Sequence, residues 1–295
     1  MSLIDELHHI EIINKDRLDE FYPRVRDRDD VAVLIDPITE VIVLSGDTHI
    51  DIGYYEDRIE KISHRVRGKE LTTPKLEDNL RRAKEFCGLI RGKNWLDFGC
   101  GLGGMLDEMA REANSAVGLE PNRDRAAICR DKGHSVVESL GQIEHQSLDV
   151  VTLFHVMEHL AEPSAVLAEI RRCLKPEGKL IVEVPHARDA LFTLYDCEAF
   201  KKFTFWSEHL VLHTRLSLKI ILEEAGFHKT EIRGIQRYPL SNHLYWLSKS
   251  KPGGHEKWIF LSGMNLSSEY EAALSGIDRT DTLVSISYNP EPYFR

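Results

Sequence analysis

The sequence predicts an α/β fold, a mostly parallel sheet covered by helices on both faces, and three observations carry that expectation. From residue 94 onward, short apolar runs alternate regularly with amphipathic segments. Leu148 to His155 and Lys179 to Val184 are nearly continuous hydrophobic runs, which a strand buried on both sides requires. Turn signals such as Lys175-Pro-Glu-Gly178 and Gly226 punctuate the alternation.

The elements follow in order. Val31 to Ile35 and Val41 to Leu44 are β-rich runs joined by a turn containing Pro37, the pattern of a hairpin. Tyr54 to Val66 and Leu76 to Ile90 have helical apolar spacing, the second opening after Thr73-Pro74 and closing near Gly92. Then come strand Trp95 to Phe98, helix Leu102 to Glu112, strand Ala116 to Glu120, helix Arg123 to Asp131 and a short strand His134 to Glu138. The apolar strand Leu148 to His155 leads to helix Ala165 to Cys173 and strand Lys179 to Val184. Helix Leu216 to Ala225 and strands His228 to Ile235 and Leu283 to Tyr288 close the pattern. This divides the chain into an N-terminal extension, residues 1–75, and a main domain, residues 76–295, with an insertion around 186–265. No internal repeat or low-complexity tract interrupts it.

Composition narrows the classes of function. With 42% hydrophobic and 29% charged residues the chain builds a packed core. A net charge of -10 argues against nucleic acid, whose phosphates demand clustered Lys and Arg. No apolar run approaches the roughly 18 to 20 residues of a membrane span, and residues 1–19 lack the basic-then-apolar order of a signal peptide. Five cysteines, odd in number and without a C-x-x-C pair, fit a reducing compartment and no disulfide framework or zinc site. A cytoplasmic location is expected, without membrane or nucleic-acid partners.

The densest signal is Asp97-Phe-Gly-Cys-Gly-Leu-Gly-Gly104, a strand end, glycine turn and helix start in succession. Glycine permits positive φ and close backbone approach to a ligand, and a helix N-terminus presents unpaired N–H groups. Glu120 ends the following strand about 20 residues on, where an acid can accept ribose hydroxyls. Gly99, Gly101 and Gly104 also spell G-x-G-x-x-G, so an NAD(P)-dependent oxidoreductase is the alternative. Asp97 separates the two readings. A carboxylate there repels a pyrophosphate and attracts the ammonium and sulfonium of S-adenosylmethionine.

The run from Asp97 to Gly104 resembles the first motif of class I S-adenosylmethionine-dependent methyltransferases, and the similarity extends over Trp95 to Phe227. Leu148-Asp-Val-Val-Thr-Leu-Phe-His-Val-Met-Glu-His-Leu160 resembles the family's fourth-strand motif, and Leu174 to Pro185 its fifth strand with the preceding turn. His209 to His213, followed by Ser217 to Phe227, is similar to the corresponding segment of the subgroup that modifies sugars, quinones and other small metabolites. The resemblance implies a Rossmann-like fold with a mostly parallel seven-stranded sheet, and S-adenosyl-L-methionine as cofactor. It places Asp97, Gly99, Cys100 and Gly101 along the methionine part of that cofactor and Glu120 with Pro121 at its ribose. Ser139 and Leu140 fall where the family contacts adenine, often through an Asp that this chain lacks. His155 falls on the methyl-donor face.

Methyl transfer needs alignment and, for a hydroxyl acceptor, a base. His155, Glu158 and His159 cluster after the fourth strand, where open α/β sheets bind ligands; His155 is the first candidate base, while Glu158 and His159 serve equally well as caps of the loop. His and carboxylate are competent metal ligands, but nothing in the spacing requires a metal, and none is expected. His209, four residues before His213, is the second candidate for proton transfer, and the two would share a helix face if that segment is helical. Arg237, Tyr238 and His255 lie in an aromatic, amide-rich run that suits an acceptor pocket, Arg237 offering an oxyanion fork. The run is similar to methyltransferases of bacterial surface-sugar pathways, which implies a small acceptor that is a sugar or sugar-nucleotide, methylated on oxygen before carbon. A non-catalytic cofactor-binding partner protein is the reading from another class. The hairpin edge offers itself either to a second copy in a homodimer or to covering the acceptor site.

Overall fold

The computed structural model describes residues 2–47, 50, 76–261 and 263–291. The helix expected over Tyr54 to Val66 lies outside them, as does most of the boundary region expected before residue 76.

The N-terminal part opens with helix α1 (Leu3–His9), capped by Ser2, whose hydroxyl accepts the Asp5 N–H. Strands β1 (Asp19–Tyr22), β2 (Val33–Ile35) and β3 (Ile42–Leu44) follow, each antiparallel to the next. Helix α2 (Leu76–Ile90) has the bounds read from its apolar spacing. The main sheet then begins with β4 (Asn94–Phe98), helix α3 (Gly104–Met109), β5 (Ser115–Leu119), α4 (Arg123–Asp131) and β6 (Ser135–Val137). It continues through β7 (Leu148–Phe154), α5 (Pro163–Cys173) and β8 (Leu174–Pro185).

Two short helices, α6 (Ala190–Thr193) and α7 (Glu198–Thr204), lead to β9 (Val211–Leu212) and helix α8 (Arg215–Glu224). Strand β10 (His228–Ile235) precedes α9 (Leu240–Lys249), α10 (Gly254–Lys257) and α11 (Met264–Gly276), and β11 (Thr282–Tyr288) returns into the sheet.

The seven strands of the main sheet lie in the order β10-β11-β8-β7-β4-β5-β6. Pairings from β8 through β6 are parallel, and β11 runs antiparallel to both neighbours. The chain winds outward from β4 in both directions, so the β4/β7 boundary is the switch point and their carboxyl ends open a crevice. Both faces of the sheet are packed. Leu96, Val151, Leu153, Leu180 and Val182 join one buried cluster, while Trp95, Val150 and Ile181 join the other. Successive residues of a strand point to opposite faces, which is why these strands read as unbroken apolar runs. Full burial of each such side chain contributes about 1.5–3 kcal/mol.

The segment containing His209 and His213 departs from the helical expectation. It forms β9, which pairs antiparallel with β3 through Ile42–Leu212 and Val43–Val211. The β-branched and leucine residues of Leu210-Val-Leu212 find an open edge on the hairpin, and sheet hydrogen bonding outcompetes a helix too short to sustain itself. The N-terminal hairpin therefore belongs to a four-stranded sheet whose last strand comes from the main domain. Leu7, Val33, Val43 and Leu212 share the cluster that contains Leu153 and Val182.

Candidate active site

The glycine turn follows β4 directly. Gly101 has φ of 57°, the left-handed region open to glycine at little cost, and a Cβ built there meets no heavy atom within 4 Å. The backbone thus faces open space that any side chain would begin to fill. Gly99 is different: its φ is 75°, and a Cβ would come 2.5 Å from Val156 Cγ2. The turn and the loop after β7 are therefore pressed together at the crevice. Cys100 is buried and its Sγ lies over Gly118, where a Cβ would sit at 2.6 Å; its small side chain fills the turn, as the sequence suggests.

Two acids flank this turn. Asp97 is buried, and its Oδ1 accepts a 2.9 Å hydrogen bond from the Thr152 hydroxyl, which in turn accepts from the Trp95 indole N–H at 3.0 Å. Burial pushes the Asp97 carboxyl up to about 7, against the lowering pull of Thr152 and Arg82. Glu120 spans the turn: Oε2 accepts the Gly101 N–H at 3.0 Å and Oε1 the Asn122 N–H at 2.9 Å. Its pKa is raised by burial despite those two hydrogen bonds. Pro121 follows at the strand end, half-buried, while Ser139 is exposed and Leu140 half-buried beyond β6. Gln142 Oε1 accepts from the backbone N–H of Glu138 and Ser139, fixing that loop.

The loop after β7 carries the second group. His155 adopts a positive φ of 56°, an uncommon conformation for a residue with a Cβ, and its backbone N–H donates to the Glu183 carbonyl at 2.8 Å. Its Nδ1 lies 3.1 Å from Glu158 Oε1, and its Nε2 lies 2.8 Å from Arg237 Nη1. A guanidinium can only donate, so Nε2 accepts and Nδ1 carries the proton that it donates to Glu158. Both ring nitrogens of His155 are thereby committed. Glu158 is fully buried. Burial pushes its carboxyl up, but the hydrogen bond from His155, with His159 and His209 nearby, prevails and holds it at about 2.

His159 and His209 complete this group, their rings 5.0 Å apart between centroids. His159 Nε2 stands 4.0 Å from Glu158 Oε1, and the Leu210 N–H donates to the Glu158 carbonyl at 2.8 Å. Burial and the neighbouring His159 hold His209 well below the usual histidine range. His213 is buried further back, its Nδ1 against Ser217 Oγ at 3.1 Å, and burial lowers it to about 4. All four residues named as candidate catalytic groups, His155, Glu158, His159 and His209, are thus neighbours.

Arg237 is not an open fork. Its Nε donates to Asp78 Oδ1 at 3.0 Å, its Nη2 pairs with Asp78 Oδ2, and its Nη1 faces His155. The Asp78 carboxylate raises its pKa above the ordinary value against the opposing effect of burial. The oxyanion-binding expectation for Arg237 therefore meets a guanidinium already occupied by Asp78. Tyr238 stacks obliquely on His255, ring centroids 5.7 Å apart, and His255 Nδ1 lies 3.4 Å from Asn242 Oδ1.

Several residues of the site were not anticipated. Glu183, fully buried near the carboxyl end of β8, accepts from Arg82 Nε and Nη2 at 3.1 and 2.6 Å and from Arg81 Nη2 at 2.8 Å, and lies 3.4 Å from His155 Nε2. Burial pushes this carboxyl up, but its charged partners, the Arg82 guanidinium among them, prevail and keep it well below the usual range. The signal was present: Glu183 is the one acid inside the apolar run Leu180 to Val184, and a buried charge needs a partner. Its partners on α2 lie 101 and 102 positions away, which no local pattern reveals.

A doubly wound sheet with the order above, a glycine turn at its switch point and an acid closing the adjacent strand define a class I S-adenosylmethionine-dependent methyltransferase. Comparison with known proteins agrees. Residues 69–232 match the family described as methyltransferase domain, and the chain belongs to it. S-adenosylmethionine is its cofactor. Among curated relatives, it is 24% identical over 185 residues to a ubiquinone biosynthesis O-methyltransferase of Photobacterium profundum, covering 58% of this chain and 78% of the relative. It is 32% identical over 174 residues to the enzyme of that name from Hahella chejuensis, covering 51% of this chain and 69% of the relative. Its fold is similar to the crystal structure of an S-adenosylmethionine-dependent methyltransferase from Archaeoglobus fulgidus, with TM-score 0.52 and 21% identity over 79% of this chain and all of the other. Among the described residues, no helix is long and apolar enough to cross a membrane.

Proposed function

We propose that this enzyme methylates a hydroxyl oxygen of a small molecule of the quinone-precursor kind, seated over the loop that follows β7. The observation that carries this reading is the packing of Val156 against Gly99, which brings the His155–Glu158 pair to the glycine turn. When bound, the cofactor supplies an activated methyl group on a sulfonium. On the protein side, Gly101 leaves the backbone open to the ligand, Glu120 presents a carboxylate held by two backbone N–H groups, and Asp97 places an acid under the turn. Cys100, Pro121, Ser139 and Leu140 line the same stretch, Ser139 and Leu140 at the adenine end.

His155 is best described as a positioned imidazole. Glu158 orients it, and Arg237 holds its Nε2 lone pair. For Nε2 to take a proton from an acceptor, the Arg237 contact must open, so Arg237 governs access to the base. Tyr238 and His255, whose rings lie against each other, are assigned by this reading to the acceptor side. Oxygen as the methylated atom is supported by the names of the curated relatives, both O-methyltransferases. A sugar-linked acceptor, expected from the run between Gln236 and His255, draws no support from them.

The test is a methyl-transfer assay with isotopically labelled S-adenosylmethionine against a panel of phenolic quinone precursors and a panel of sugar nucleotides. Label in the phenols alone is expected; label confined to the sugars would reverse the assignment of acceptor. In the active assay, His155→Ala should lower kcat by about 10²-fold, within the usual range for a proton-transfer group, and leave the calorimetric affinity for S-adenosylhomocysteine unchanged. Full kcat in that variant would remove His155 from the chemistry.

A further inference from the structure

We propose that Asp281 is a positioning residue of the acceptor side: its carboxylate fixes the segment Gln236 to Tyr238, and through it the guanidinium that meets His155. Strands β10 and β11 pair as far as Ile235 opposite Thr282. One step further, where Gln236 and Asp281 would continue the ladder, the Asp281 side chain takes the place of the strand. Its Oδ1 accepts the Arg237 N–H at 3.1 Å, and its Oδ2 accepts the Tyr238 N–H at 3.0 Å and the Gln236 Nε2–H at 2.8 Å. The contact is reciprocal, since Gln236 Oε1 accepts the Asp281 backbone N–H at 3.2 Å. Backbone N–H groups that leave a ladder need acceptors, and two successive ones converging on one anion make a nest that fixes the course of the chain.

The same segment is held from its outer side. Glu271 of α11 accepts the Gln236 backbone N–H at 3.1 Å. Gln236 Nε2 lies 3.2 Å from Nε2 of the buried His243, whose Nδ1 lies 2.7 Å from the Tyr270 hydroxyl. Burial lowers His243 to about 4, so its ring is neutral: Nε2 accepts from the Gln236 amide and Nδ1–H donates to Tyr270. Burial raises the Asp281 carboxyl, and the Arg237 charge with the two backbone N–H groups opposes that rise, which makes these groups the partners of the anion.

The reach of Arg237 follows from this anchor. With the N–H groups of Arg237 and Tyr238 both held, the backbone at Arg237 cannot turn, and the guanidinium moves only by its own side-chain torsions. It is found against Asp78 and at 2.8 Å from His155 Nε2. Asp281 thus acts on the imidazole through an intervening residue, without touching it. Asparagine cannot replace it: an amide has one acceptor oxygen, and its NH₂ would face a backbone N–H. That this contact governs proton transfer rests on the role proposed above for His155; the placement of Arg237 by Asp281 does not.

The test uses the full-length protein with isotopically labelled histidine and records the ring nitrogens of His155 by NMR, its signals being identified by their absence in His155→Gln. In wild type Nδ1 should be protonated, and Nε2 should carry the shift of a nitrogen that accepts a hydrogen bond. Arg237→Met should move Nε2 toward the shift of an unbonded nitrogen. Asp281→Asn should move it in the same direction, and the double variant should lie where Arg237→Met alone does, because residues acting through one contact do not add. Asp281→Ser carries the same expectation, with circular dichroism confirming that each variant folds, so loss of fold in one leaves the other to decide. An Nε2 signal that keeps its wild-type position in a folded Asp281 variant overturns the proposal, as does a double variant displaced by the sum of the two single shifts. No acceptor is needed for this measurement, while the methyl-transfer assay reports on His155 as the base, so the two ideas fail independently.

Discussion

The two halves of the crevice are built in opposite ways. On the cofactor side, Asp97, Gly99, Gly101 and Glu120 lie within 24 consecutive positions, counting from 97 to 120, and the contacts among them are backbone turns and one carboxylate bridge. On the acceptor side, Asp78, Arg82, His155, Glu183, His209 and Arg237 come from α2, the β7 loop, β8, the segment before β9 and the end of β10. The first half is a local solution to holding a ligand at a strand end. The second is a charged network whose every member depends on packing brought from elsewhere.

That difference predicts different failures. The largest effect is expected at Glu183. Glu183→Ala leaves the buried Arg82 guanidinium, 9% exposed, without its carboxylate, and breaking a buried pair costs about 3–5 kcal/mol. Chemical denaturation should show that loss while the cofactor affinity of the folded fraction stays within a few-fold of wild type. A parallel collapse of cofactor affinity would mean that the halves are one unit.

Next comes Gly101→Leu. A side chain at φ of 57° costs about 1–2 kcal/mol in stability, modest because nothing lies within 4 Å of the added Cβ. With the cofactor placed as proposed, the same side chain occupies its space, and calorimetry with S-adenosylhomocysteine should show a loss of about 100-fold or more, equivalent to about 3 kcal/mol. Retained affinity would move the cofactor away from this turn.

The smallest effect is a pH dependence on the cofactor side. Asp97 is raised from 3.8 to about 7 by burial, so the fold favours its neutral form. Its contribution to stability is therefore unfavourable, growing as pH rises from near 4 to about 7 and constant above that. A cationic ligand favours the ionised form, so affinity for S-adenosylmethionine should fall about tenfold per unit as pH drops below about 7 and level off above it. Asp97→Asn should flatten that profile and weaken binding at pH 8. A wild-type profile already flat between pH 6 and 8 would show that this carboxyl does not meet the ligand's charge.

Much of the architecture was legible in the sequence. Buried parallel strands must be apolar on both faces, so the runs Leu148 to His155 and Lys179 to Val184 announce β7 and the later part of β8, and the spacing of Leu76 to Ile90 matches its helix end to end. The glycine turn was legible because a backbone cradle can be made only from residues without side chains. His155, Glu158 and His159 were visible as polar residues placed where a strand ends. By contrast, the spacing of His209 and His213 was compatible with a helix, and only the hairpin edge supplied by β3 made that segment a strand. Arg237 read as a free guanidinium because Asp78, 159 positions earlier, is its partner only in space.

The sequence by itself determined the alternation of strands and helices from β4 to β8, the glycine turn and the acid that answers it, because each follows from periodicity or from backbone conformations that a few neighbouring residues dictate. Only the tertiary structure decided which charges are spent on one another: that Glu183 gathers Arg81 and Arg82, that Asp78 takes Arg237, and that Glu158 accepts the His155 N–H beside His159 and His209. The physical reason is that a buried charge is settled by whatever partner the fold brings within hydrogen-bonding distance, and distance along the chain carries no information about that.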